Sequence, residues 1–263
     1  MSGQNFMNSA CLQTRQLSLR INRKTICRDL NLELRKGEVW GILGANGSGK
    51  TTLLHTLGGL YRPDSGEVLL RNDGLHRLPA KLLARSLGIL FQDISTSFPQ
   101  TVWDYCLASR YPHIPFMQNA NANDRHIVTQ ALQTVEMDNM AQSPITHLSG
   151  GEKRRLAIAA LLAQTPEIYL LDEPTNHLDL RYQIRILDYF RELADTSQAV
   201  IMMSLHDANL AQQYCDHVLL LFPDAHVLHG TTADMLTAGN LSRLYQHPVR
   251  SLISDKTLYW MPF

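Results

Sequence analysis

Glu38-Val-Trp-Gly-Ile-Leu-Gly44-Ala-Asn-Gly-Ser-Gly-Lys50-Thr51 reads as a short apolar strand that runs straight into a glycine-rich loop. The apolar spacing of Leu53, Leu54, Leu57 and Leu60 behind it is helical, so the loop lies between a strand and a helix N-terminus. Residues 44–51 fit the pattern G-x4-G-K-[ST]. Glycines let successive backbone N–H groups turn inward around the β- and γ-phosphates of a nucleotide. Lys50 adds a point charge, and the Thr51 hydroxyl is placed to ligate Mg2+. The positive end of the helix favours the same anion. Gly44, Ala45, Asn46, Gly47, Ser48, Gly49, Lys50, Thr51 and Thr52 are therefore the candidate nucleotide-binding residues.

Two further stretches carry chemistry. Ile168-Tyr-Leu-Leu-Asp172-Glu173 is an apolar strand that ends in two carboxylates. Beside a phosphate loop, the first acid holds the Mg2+ shell through water, and the second is placed to polarise an attacking water. Leu148-Ser-Gly-Gly-Glu152 opens a helix, with Ser149 at the N-cap and Glu152 at capping-box spacing. Gly150 and Gly151 weaken that helix's first turn. They make sense where exposed N–H groups must approach an anion closely.

The remaining pattern is that of an α/β protein. Leu17, Leu19, Ile21, Leu30, Leu32 and Leu34 recur at spacing two, the mark of an antiparallel ribbon. Residues 61–92 read as short strands, a Pro-Asp-Ser-Gly turn and a helix around Leu82. Residues 93–147 change character, with several prolines, a polar loop at Gln118–Asn123 and helical patterns at Val102–Ala108 and His126–Glu136. Helices over 150–164, 182–194 and 208–214 then alternate with buried strands at 168–171 and 199–204. A hairpin of Val218–Phe222 and Ala225–Leu228 follows. Short apolar strands alternating with helices imply a mainly parallel sheet covered on both faces. The expected organisation is a loose N-terminus over residues 1–11 and one domain over 12–263. That domain combines a phosphate-loop nucleoside-triphosphatase core, an N-terminal antiparallel β subdomain and a helical insert subdomain at about 93–165.

Phosphate loop, Gln92 at the end of GILFQ, LSGGE, LLDEP, Asn176-His-Leu-Asp179 and Ser204-Leu-His206-Asp207 occur in one order along nearly the whole chain. In this the chain resembles the ATP-binding cassette (ABC) ATPases. The resemblance implies a Walker A motif at 44–51, a Q-loop at Gln92, a signature at 148–152, a Walker B motif at 168–172 and a D-loop at 176–179. It further implies Glu173, His206, Gln92 and Lys50 as the catalytic set. Thr51, Gln92 and Asp172 would hold Mg2+, with Asp179 and the signature residues Ser149, Gly150, Gly151 and Glu152 beside ATP.

Two departures from the family pattern matter. The family commonly stacks an aromatic side chain from the first ribbon on adenine, whereas Ile21 stands at that position here. No Phe, Tyr or Trp lies between Met7 and Val39. An aliphatic side chain, or the guanidinium of Arg20 or Arg23, is then left to cover the base, and GTP should be better tolerated. The second departure is Glu152, where glutamine is common; an acid in a first helical turn suits the helix dipole.

The resemblance also implies an active unit of two cassettes. Ser149 and Gly151 of one copy would meet the γ-phosphate held by Lys50 of the other, Glu173 would polarise water, and His206 would position it. Arg110-Tyr-Pro-His113 and the ending, from Asn240-Leu-Ser-Arg-Leu-Tyr245 to Thr257-Leu-Tyr-Trp-Met-Pro262, resemble segments of iron-chelate and cobalamin importer ATPases. The implied role is to power an iron-siderophore, haem or cobalamin importer, with molybdate-like or metal-ion import and a non-transport ATPase as alternatives. The implied partners are separate transmembrane permease subunits and an extracytoplasmic substrate-binding protein, which places the chain in the cytoplasm on the inner face of the membrane.

Composition agrees with those expectations. The longest apolar run, Leu156–Ala163, has eight residues, less than half a bilayer span. The 263 residues carry 24 basic and 24 acidic side chains, so no basic excess drives nucleic-acid binding. Cys11, Cys27, Cys106 and Cys215 are widely spaced and are expected to be free thiols.

Overall fold

The structure, a computed structural model, describes residues 11–21, 24–92, 99–254 and 257–263. The expected loose N-terminus (except residue 11), Arg23 and the first six residues of the helical insert lie outside the described residues. The chain runs β1 (Leu12–Ile21), β2 (Lys24–Leu34), β3 (Val39–Gly44), α1 (Lys50–Leu57), β4 (Ser65–Leu70), β5 (Asp73–Gly74), α2 (Ala80–Ser86) and β6 (Leu87–Leu90). Then come α3 (Val102–Ala108), α4 (Ala122–Thr134), α5 (Gly150–Gln164), β7 (Ile168–Leu171), α6 (Leu180–Ser197), β8 (Val200–Ser204) and α7 (Ala208–Tyr214). The last elements are β9 (His217–Leu221), β10 (Val227–Thr231), α8 (Thr232–Met235), α9 (Ala238–Tyr245), β11 (Val249–Ser254) and β12 (Thr257–Pro262).

The central sheet has the order β10-β9-β3-β8-β7-β6. Its strands are parallel except β10, which runs antiparallel to β9. Within each buried strand, successive side chains go to opposite faces, and two separate cores form as a result. Val39, Leu43, Tyr169, Leu171, Ile201 and Met203 face one core with α5, α6 and the helical insert. Trp40, Ile42, Ile168, Leu170, Val200 and Met202 face the other with α1 and the β-ribbon. That double burial explains why these strands read as continuous apolar runs. The second sheet, β2-β1-β4-β5, is antiparallel and caps the α1 face.

Among the described residues, the α-helices of the insert start by the same device. Thr101 with Asp104, Asn121 with Asp124 and Ser149 with Glu152 each form a reciprocal capping box. Asn121 therefore ends the expected polar loop two residues early. Likewise β10 begins at Val227 instead of Ala225, because Ala225 sits in a turn at φ 64° with its N–H donating to the Phe222 carbonyl.

The Arg110-Tyr-Pro-His113 segment turns out to be a clasp. Arg110 is only 4% exposed. Its Nε donates to Asp124 Oδ1 at 3.0 Å, and its Nη1 donates at 2.8 Å to both Ala163 O and Thr165 Oγ1. His113 Nε2 lies 2.9 Å from Gln164 O. The segment thus ties the start of α4 to the C-terminal end of α5. All four cysteines are buried and free. Burial pushes Cys27 up to about 11 and Cys106 up to about 12, which leaves them poor nucleophiles at neutral pH.

Candidate active site at the carboxyl edge of the parallel sheet

β3 delivers the phosphate loop to the carboxyl edge of the sheet, where open α/β sheets bind ligands. Two of its glycines are sterically required. A Cβ on Gly44 would lie 2.5 Å from Ser48 Oγ and 2.9 Å from Leu221 O. Gly49 has φ 109°, and a Cβ there would lie 2.7 Å from Ile26. Lys50 begins α1 and is 6% exposed, with Nζ donating to Gly44 O at 2.9 Å. Burial lowers its pKa, and the charges of Glu173 and Asp172 oppose that shift. Ser48 Oγ is buried without a hydrogen-bond partner among the described residues.

The carboxylates arrive on β7, which β8 separates from β3. In register, Leu171 pairs with Met203 and Ile42 with Ser204. Ser204 thereby reaches both acids: its Oγ donates to Asp172 Oδ1 at 2.7 Å and accepts from the Glu173 N–H at 2.8 Å. Asp172 is fully buried, and its Oδ2 has no partner among the described residues. Glu173 has φ 49°, a left-handed backbone that costs on the order of 1–3 kcal/mol and is held by its surroundings. Its Oε1 lies 2.6 Å from His206 Nε2, while Oε2 accepts from Gln92 Nε2 at 3.3 Å and from Asn176 Nδ2.

Both walls enclose one cleft of about 620 Å³. Ile21, Asn46, Gly47, Gly49, Lys50, Thr51, Thr52, Gln92, Glu173 and His206 all line it. Gly44, Ala45, Ser48 and Asp172 do not line it; Gly44, Ser48 and Asp172 are buried and Ala45 is half-buried. Arg20 does not cover the cleft, because Asp64 takes its guanidinium at 3.1 Å and its N–H at 2.6 Å. Aliphatic Ile21 and Ile26 remain, together with Lys24, whose Nζ donates to Gly47 O at 2.7 Å. An aliphatic wall separates ATP from GTP only weakly, so the ratio of their kcat/KM values should stay below about 100. Parallel phosphate-release assays with the two nucleotides check this.

Ser149, Gly150, Gly151 and Glu152 lie outside the cleft, at the start of α5. A Cβ on Gly150 would meet nothing within 4 Å. Ser149 donates from N and Oγ to Glu152 Oε2 at 2.8 and 2.7 Å. Those two hydrogen bonds hold the Glu152 carboxyl below the usual range, so it stays ionised into mildly acidic solution. Because a glutamine carbonyl accepts the same bonds, Glu152→Gln should change turnover less than about tenfold, as read by steady-state ATPase assay. Asp179 is also outside the cleft, where it caps α6 by accepting from Tyr182 N at 3.0 Å.

Four further residues support the site without an expected role in it. Ser204, Asn176, Lys24 and Arg154 act through neighbours that only the fold supplies; Ser204 and Asn176 at least lie inside quoted motifs, whereas Lys24 and Arg154 read as ordinary surface cations.

A glycine-rich loop with a buried lysine, set against a wall that presents a carboxylate and an imidazole, fits the site of a phosphate-loop ATPase. Residues 27–176 match the family described as ABC transporter, so the chain belongs to the ABC transporter ATPases. Among its relatives, the petrobactin import ATP-binding protein FpuD of Bacillus anthracis is 39% identical over 210 residues, covering 80% of this chain and 77% of that one. The ferric enterobactin transport ATP-binding protein FepC of Escherichia coli K12 is 34% identical over 253 residues, with 96% and 93% covered. A metal-chelate type ABC transporter solved in an inward-facing conformation superposes with a TM-score of 0.83 at 28% identity, covering 97% of this chain and 98% of that one.

Proposed function

We propose that this chain is the ATP-hydrolysing subunit of a membrane importer for an iron-siderophore chelate, haem or cobalamin. Hydrolysis is carried by one observation, the 2.6 Å contact of Glu173 Oε1 with His206 Nε2 in the cleft that also holds Lys50. Lys50 and the loop N–H groups hold the β- and γ-phosphates. Glu173 polarises a water whose oxygen attacks the γ-phosphorus; the bond to the β-phosphate oxygen breaks, and ADP and phosphate leave. His206 positions that water against the γ-phosphate, while Gln92 and Asn176 fix the second oxygen of Glu173. Thr51, Gln92 and Asp172 would hold Mg2+, and the unpartnered, buried Asp172 Oδ2 fits a hydrated cation. When bound, the ion neutralises charge on the transferring phosphoryl group.

Ser149, Gly150, Gly151, Glu152 and Asp179 serve a second copy, which closes each cleft head to tail. Import is supported by relatives named for petrobactin and ferric enterobactin transport that align over most of the chain. Among the described residues no helix is long and apolar enough to cross a membrane, so separate permease subunits supply the spans. Exposed Tyr111, Phe116 and Met117, in the segment between α3 and α4, offer them an apolar contact. In this reading the chain sits on the cytoplasmic face, and an extracytoplasmic protein delivers the substrate. A strain lacking this chain should lose uptake of one labelled ferric chelate, haem or cobalamin. Unchanged uptake of all three, with loss of molybdate or metal-ion uptake, would transfer the assignment to that alternative.

A further inference from the structure

Arg154 lies in α5, five residues beyond Ser149, and is 3% exposed. Its guanidinium points back toward the catalytic cleft. Nη1 donates to Phe91 O and to Gln92 O at 3.3 Å, and Nη2 donates to Asp172 O at 2.5 Å and to Glu173 O at 2.6 Å. One planar, rigid fork therefore grips both backbone segments whose side chains meet at Glu173 Oε2. A shift of α5 must carry Gln92 and Glu173 with it or break these bonds, and the left-handed backbone of Glu173 gives that segment little slack.

We propose that Arg154 is a positioning residue that links the signature at the start of α5 to Gln92 and Glu173 of its own chain. The link makes occupancy of one nucleotide site set the catalytic geometry of the other. This rests on the head-to-tail reading, in which the signature of one copy meets its partner's ATP while Glu173 acts on its own. Seating of ATP at either site fixes an α5 helix, and Arg154 passes that constraint to the glutamate of the opposite site. Hydrolysis is therefore cooperative in ATP, and the cooperativity runs through a residue that touches neither nucleotide.

The test is an ATP titration of steady-state phosphate release by the full chain, by Arg154→Gln and by Arg154→Lys, with thermal melting of each. The parent should show a Hill coefficient between 1 and the ceiling of about 2 set by two sites. In Arg154→Gln it should fall to about 1, with kcat lowered about 100-fold by misplacement of the base. KM for ATP should stay within about threefold, because ground-state binding is untouched. Arg154→Lys keeps the cation but loses the fork, so it should melt like the parent and still give the lowered kcat and Hill coefficient. Recovery of both by lysine would show a merely structural cation and overturn the proposal, as would a parent Hill coefficient of 1. Gel filtration of Glu173→Gln with ATP separates the two levels. Absence of an ATP-dependent dimer sinks the head-to-tail reading and the link together, whereas a dimer with an unchanged Hill coefficient in the Arg154 variants sinks the link alone.

Discussion

Glu173→Gln is expected to reduce ATP hydrolysis by about 10²–10⁴-fold, the usual contribution of a positioned general base, while nucleotide binding persists. The amide cannot take the place of the carboxylate in polarising water. It can still meet His206, Gln92 and Asn176, which surround Glu173 within hydrogen-bond reach. Lys50, Thr51 and the loop glycines are untouched, so ATP should be held but not turned over, and the ATP-bound dimer should accumulate. Phosphate release measured beside gel filtration with ATP reads both halves of the expectation. Near-parental turnover would remove Glu173 from the catalytic role and leave the cleft without an evident base.

The second large effect concerns stability. Arg110→Ala should destabilise the fold by about 3–5 kcal/mol, because it leaves the buried Asp124 without its cation. For a chain of this size that corresponds to a fall of roughly 10 °C in melting temperature. The same change strips Ala163 O and Thr165 Oγ1 of their donor at the end of α5. Burial pushes the Asp124 pKa up, but the Asn121 N–H and the Arg110 guanidinium outweigh it and bring it below the usual range. A depressed carboxyl pKa stabilises the fold above the unfolded value and loses that stabilisation as pH falls through the folded one. The gap between parent and Arg110→Ala should therefore narrow in strongly acidic buffer. Thermal denaturation followed by circular dichroism at neutral and acidic pH measures this, and equal melting temperatures at neutral pH would contradict it.

The Arg110 clasp also shows where sequence reading stops. The RYPH string is visible as a string, yet its resemblance to importer segments said nothing about Asp124, Ala163 or Thr165. Those partners lie 14, 53 and 55 positions away, and no local period connects them. By contrast, the α5 and β7 limits were read at their observed ends, because a capping box and a short apolar run are local signals. Ile21 is intermediate. Its place beside the nucleotide was implied by the family resemblance, but the loss of Arg20 to Asp64 depended on a contact 44 residues distant.

The loop at 44–51 set the chemistry from the start, since glycines, a lysine and a threonine at that spacing have few uses besides holding phosphate. Motif order then carried the resemblance to the ABC ATPases, which implied a carboxylate, an amide and an imidazole in the same enzyme, because each motif is short enough to be written within a few residues. The order of strands in the sheet could not be read that way. Only with β8 lying between β3 and β7 does the Ser204 hydroxyl join Asp172 to the Glu173 backbone. Only the packing of α5 beneath them lets Arg154 grip four carbonyls from two distant loops. Local signals name the groups that react; long-range packing decides which groups hold them, because hydrogen-bond partners are chosen by distance in space.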